Sequence, residues 1–140
     1  MAILFFEEDI RFPVRNKNKF KKWLRTVAAK EGKRIGELNY IFCTDEYLYQ
    51  INVEYLNHST YTDIITFDNS EDVNFIEGDI FISVERIREN AHIEGAALED
   101  ELLRVMSHGL LHLMGYKDKK EEDKRLMREM ENQSISLFPY

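Results

Sequence analysis

The sequence predicts an α+β domain, a small mixed β-sheet packed with helices. Three observations carry this. Short apolar runs of strand type occur near residues 2–6, 38–44, 63–68 and 77–84. Longer stretches with apolar residues at helical spacing stand between and after them. The two kinds succeed one another without the regular alternation of a repeated βαβ fold. The chain has 140 residues, of which 44% are hydrophobic and 32% charged, enough to bury one core and without a disordered signature. Residues 1–140 show no linker and no internal repeat, and read as a single domain.

Taken in order, AILFF at residues 2–6 is a first strand, and Pro13 interrupts the chain before the first helix. Phe20, Trp23, Leu24 and Val27 recur at helical spacing from Asn16 to Lys30, with Gly32 as a stop. Leu38 to Thr44 is rich in β-branched and aromatic residues and predicts a strand. Thr44 or Asp45 can then cap a helix running to about Asn52, with Leu48, Ile51 and Tyr55 on one face. Asn57 to Tyr61 is polar loop. Asp63–Asp68 and Glu77–Val84 are strands, joined by a polar connection. Helices come next from Val84 to about Glu94, ended by Gly95, then from Glu99 to Met114. The last covers Glu121 to Ile135, with Leu126, Met127 and Met130 as its apolar side.

Composition narrows the function classes. No apolar run is long enough to cross a bilayer, and MAILFFEEDIRF lacks the cationic start of a signal peptide, so a cytoplasmic, membrane-independent protein is expected. The single cysteine, Cys43, fits a reducing compartment and a small buried core residue. The net charge of −7 argues against indiscriminate nucleic-acid binding. It is unevenly spread: residues 11–36 hold ten Lys or Arg and one acid, Glu31, a local balance of +9 against −16 in the remainder. An acidic protein can therefore carry a basic face, although a charge run of this kind is more often a solvated helix surface.

The chemistry concentrates in ELLRVMSHGLLHLMGYKD, residues 101–118. Apolar residues lie nearly all round this helix, so it is mostly buried, and polar groups on it need partners. His108 and His112 are four apart and project from one face, one turn removed. Two imidazoles so placed can bind one metal ion without bending the backbone. Gly115 can close the helix in the left-handed conformation, and Asp118 arrives three residues later as a third ligand. Three protein ligands leave a fourth position for water or substrate. The spacing H-x-x-x-H-x-x-G-x-x-D echoes the zinc proteases, giving a zincin-like site. Those enzymes place a glutamate after the first histidine as general base, and here that position is Gly109.

Several pieces in order, Asn52 with Tyr55, Thr62-Asp63-Ile64-Ile65-Thr66-Phe67, Gly78-Asp79-Ile80 and His108 through Tyr116, make the chain similar to the YbeY family of bacterial rRNA maturation factors. The resemblance implies an α+β domain whose histidine helix faces a cleft. It further implies a single-strand-specific, metal-dependent endoribonuclease trimming the 3′ end of small-subunit rRNA. RNA and the small ribosomal subunit would be its partners. Two departures stand out. The commonest family pattern ends G-Y-D-H, and this chain has Gly115-Tyr116-Lys117-Asp118. Where the family commonly carries an arginine after the tyrosine, this chain has Leu56. Such an arginine would grip a phosphate through bidentate hydrogen bonds, which leucine cannot do. His58, in the same loop, is a candidate substitute, and Thr66 is a candidate substrate contact.

The expected ligand set is His108, His112 and Asp118, holding one zinc ion, with iron(II) or manganese also compatible with two histidines and a carboxylate. The residues identify no general base and leave open whether water or the RNA 2′-hydroxyl attacks. The competing readings are a non-catalytic ribosome-assembly factor with a structural metal, favoured by Leu56 and the net charge, and, more distantly, a metallopeptidase.

Overall fold

The computed structural model describes residues 2–57 and 62–139. Strand β1 (Ala2–Glu8) runs parallel to β2 (Arg34–Cys43), and helix α1 (Lys17–Lys30) makes the connection between them. Helix α2 (Asp45–Leu56) leads to β3 (Ile64–Asp68) and β4 (Phe75–Ser83). β4 pairs in parallel with β2 and antiparallel with β3, so the sheet is mixed and ordered β1-β2-β4-β3. Three helices close the chain: α3 (Val84–Glu94), α4 (Leu98–Leu113) and α5 (Glu121–Ser136). β3 is thus an edge strand, and this position brings it beside the histidine helix, α4.

Alternation along the strands divides the core. Leu38, Tyr40 and Phe42 of β2, with Ile76, Ile80 and Ile82 of β4, face a large core shared with α1, α3 and α4. Cys43, Ile65 and Phe81 face the opposite side, where Leu48 and Ile51 of α2 cover them. Two buried polar atoms stitch distant elements together. Trp23 Nε1 donates to the Ser134 carbonyl at 2.7 Å, and the Tyr40 hydroxyl donates to the Met106 carbonyl at 2.9 Å. Each meets a buried dipole that would otherwise cost free energy.

Helix ends form where the residues can make them. Thr44 Oγ1 accepts from the Tyr47 amide at 3.1 Å, and the Ser83 side chain caps α3 by accepting from Arg86 N. Gly32 and Gly95 adopt positive φ just past α1 and α3. The structure departs from the sequence pattern in three places. β2 begins at Arg34 rather than Leu38, because Gly36 sits at a register shift between Ile35 and Leu38 and masks the alternation. α2 continues to Leu56, ended by Asn57 in the left-handed region, and Tyr55 is 65% exposed, its ring set edge-on to Phe67. On α5, Leu126 is exposed, and the buried side comprises Met127, Glu131 and Ser134.

Glu101 is a buried acid at the start of α4. Burial, then the charge of Glu94 and a hydrogen bond with it, push the Glu101 carboxyl up to about 7, against the pull of Arg104 and Arg128. The folded protein therefore holds a proton there that the unfolded chain releases above about pH 4.3, and stability is lost as pH rises towards 7. Glu101→Gln should stabilise the protein by about 1 kcal/mol at pH 8, with the gain shrinking to nothing near pH 4. Urea unfolding at the two pH values measures it.

Candidate metal centre

Helix α4 is almost wholly apolar towards the core, with Leu103, Met106, Leu110 and Leu111 fully buried. His108 and His112 occupy its remaining face, their rings 4.8 Å apart between centroids. The helix ends in a Schellman motif: Gly115 at φ 103°, its amide donating to the His112 carbonyl and the Tyr116 amide to Leu111. That turn folds the next loop back over the histidines. Asp118 Oδ2 then stands 3.2 Å from His108 Nε2 and 3.2 Å from His112 Nε2.

These separations suit a metal. The three ligand atoms lie within 4.8 Å of one another. The two 3.2 Å edges match the roughly 3.3 Å edge of a tetrahedron with metal–ligand distances of about 2.0–2.1 Å. The second nitrogen of His108 is also held: Nδ1 donates to Glu131 Oε2 at 2.6 Å. Glu131, 5% exposed on α5, accepts from Arg104 Nη1 at 2.9 Å through its other oxygen. A carboxylate on the far nitrogen fixes the ring orientation and directs the Nε2 lone pair outward, as metal-binding histidines require. Burial alone would lower the His108 pKa, but the hydrogen bond and charge of Glu131, then the charges of Asp118 and Asp63, outweigh it and raise the pKa. Burial likewise opposes ionisation of Glu131, and the bonds from His108 and Arg104 overcome it, holding that carboxyl below its usual range.

Position 109 decides what the site cannot be. A Cβ on Gly109 would lie 2.8 Å from Ile80 Cγ2 and 3.1 Å from Ile64 Cδ1. The residue points into the helix–sheet contact, where a protease-type glutamate has no room. The three candidate ligands open instead onto a cleft of about 550 Å³ along the edge of β3. Asn52 and Leu56 of α2 line it, together with Thr62, Asp63, Ile64, Ile65, Thr66 and Lys119. Of the two candidate substrate contacts, Thr66 lines the cleft and His58 lies outside the described residues.

A family model described as "Endoribonuclease YbeY" matches residues 3–138. This chain belongs to the YbeY family. It is 54% identical over 136 residues to the endoribonuclease YbeY of Cytophaga hutchinsonii, covering 97% of this chain and 95% of that one. The YbeY protein of Flavobacterium johnsoniae is 51% identical, with 95% of both chains covered, and that of Bacteroides thetaiotaomicron 44%, with 98% and 99% covered. The solution structure of TM1509 from Thermotoga maritima shares the fold, with a TM-score of 0.68 over 98% of this chain and 89% of that one at 23% identity.

Two residues of this YbeY-family site escaped the sequence reading. Lys119 is the one Lys or Arg lining the cleft among the described residues, and it stands next to a candidate ligand. Glu131 is 23 residues from His108 and meets it only through the packing of α5 on α4. Its one trace in the sequence is an acid in register with Met127 and Ser134 on the buried side of a helix. Glu131→Gln should weaken divalent-metal binding by about 10–100-fold while leaving all three ligand side chains in place. Competition with a chelator of known affinity reads this directly.

Proposed function

We propose that this protein is a metal-dependent endoribonuclease that matures ribosomal RNA in the cytoplasm, acting at the 3′ end of small-subunit rRNA in association with the small ribosomal subunit. The observation that carries the reading is the convergence of His108, His112 and Asp118 on one cleft, in a chain of the YbeY family. Among the described residues no helix is long and apolar enough to cross a membrane.

We assign His108, His112 and Asp118 as the ligands of one zinc ion. Three donors facing a cleft are the pattern of a catalytic rather than a structural zinc site, which closes its sphere with four protein ligands. This favours the nuclease over an assembly factor whose metal merely holds the fold. When bound, the ion supplies Lewis-acid assistance to the phosphodiester under attack.

The chain's own residues do the rest. Glu131 holds the His108 ring in its tautomer, and Arg104 holds Glu131. Lys119 supplies an ammonium for a substrate phosphate in the cleft where Leu56 cannot, and Thr66 offers a hydroxyl beside it. Asp63 is the cleft carboxylate outside the ligand set among the described residues, and so the group available to accept a proton.

The deciding experiment is cleavage of a precursor rRNA fragment by purified protein, run beside His112→Ala and a metal-stripped sample. Cleavage should fall by about a hundredfold or more in both controls and return to the stripped sample when zinc is added. No cleavage by the wild-type protein, or equal cleavage in all three, would sink the nuclease reading in favour of an assembly factor. In the same assay Lys119→Ala should raise KM about tenfold, with kcat much less affected and Lys119→Arg restoring most of the loss.

A further inference from the structure

Helix α1 buries Phe20, Trp23, Leu24, Val27 and Ala28 against the core. Outside that buried arc lie Lys21, Lys22 and Arg25, which at 100° per residue fall within an arc of about 100°, and Lys17 is exposed in the first turn. The helix has no acid in its first turn. Acids outnumber Lys and Arg in the whole chain by 26 to 19. Even so, none of the ion pairs among the described residues reaches Lys17, Lys21, Lys22 or Arg25. Among the described residues the Lys and Arg side chains that do form ion pairs lie elsewhere: Arg86 with Asp45, Arg104 with Glu131 and Lys124 with Glu121.

A row of like charges left without counter-charges repels itself and contributes nothing to folding. A polyanion laid along the helix would neutralise the row and release its own counterions. The one acid in this stretch, Glu31, is occupied, since the Tyr116 hydroxyl donates to it. That contact also ties the C-terminal end of α1 to the loop that carries Asp118 and Lys119. Basic surface and metal-cleft loop are therefore joined by a side-chain contact, although α1 contributes no residue to the cleft.

We propose that the basic side of α1 is a second RNA-binding surface, which grips the phosphate backbone away from the cleft and supplies affinity rather than chemistry. The inference rests on the nuclease reading for its choice of RNA as the polyanion. It explains how a chain of net charge −7 with Leu56 in its cleft can hold RNA.

The test compares the metal-loaded wild-type protein with Lys21→Glu/Lys22→Glu/Arg25→Glu and with the corresponding triple Gln variant. Binding of a fluorescent single-stranded rRNA fragment is measured across a salt series, and unfolding transitions verify that both variants fold. The charge-reversed protein should bind at least about tenfold more weakly at about 0.1 M salt, and the slope of log K against log salt should fall by about 2. The Gln variant should fall between it and wild type. Cleavage of an oligonucleotide too short to reach from the cleft to α1 should be unchanged. Wild-type RNA affinity in both variants would overturn the surface and leave the nuclease standing, and loss of ribosomal-particle binding alongside that result would assign α1 to an acidic protein. RNA binding that depends on α1 without any cleavage would support the surface and sink the nuclease. A wild-type protein that binds no RNA would overturn both.

Discussion

The closeness of α4 to the sheet governs the geometry of the site. Gly109 lets the helix lie against Ile80 and Ile64 at a distance that a single added carbon would violate. Gly78 does the same from the sheet side, where a Cβ would strike the Phe67 carbonyl oxygen at 2.3 Å and meet Leu113 at 3.1 Å. Interiors packed at crystal density transmit such contacts rather than absorb them. With the helix seated this deeply, His108 and His112 come level with the edge of β3, and the loop after Gly115 has a wall to close against. The same contact excludes a side chain at position 109, so whatever accepts a proton in this cleft must come from elsewhere in the fold.

Around that contact the polar groups form one chain of support. Arg104 meets Glu131, Glu131 meets His108, and His108 and His112 share Asp118. Each member compensates for the burial of the next, which is why the burial costs at His108 and Glu131 are both outweighed. Removal of one member would strand the others in a partly dry setting, where an unpaired charge costs most. The site is therefore held from behind by α5 as much as it is formed by α4.

Charge is segregated in the same spirit. The acids that outnumber the bases are spread over the rest of the chain, while α1 keeps its cations to itself. The cleft has a single flexible ammonium, Lys119, beside its carboxylates among the described residues. A polyanionic substrate can then be held at one place and cut at another, the two linked by the contact of Tyr116 with Glu31.

The sequence by itself determined the order and kind of the nine elements among the described residues, because apolar periodicity and capping residues are local properties. The three candidate ligands were legible for the same reason: an i,i+4 pair, a helix-ending glycine and a carboxylate three residues on all lie within eleven consecutive residues. Gly36 hid the start of β2, since an irregular register is written in the partner strand. Only the tertiary structure decided that Glu131 stands behind His108, that Lys119 faces the cleft, and that Gly109 is a packing requirement rather than a missing base. Those relations join residues far apart in the chain, and packing of α4 against both the sheet and α5 is what brings them together.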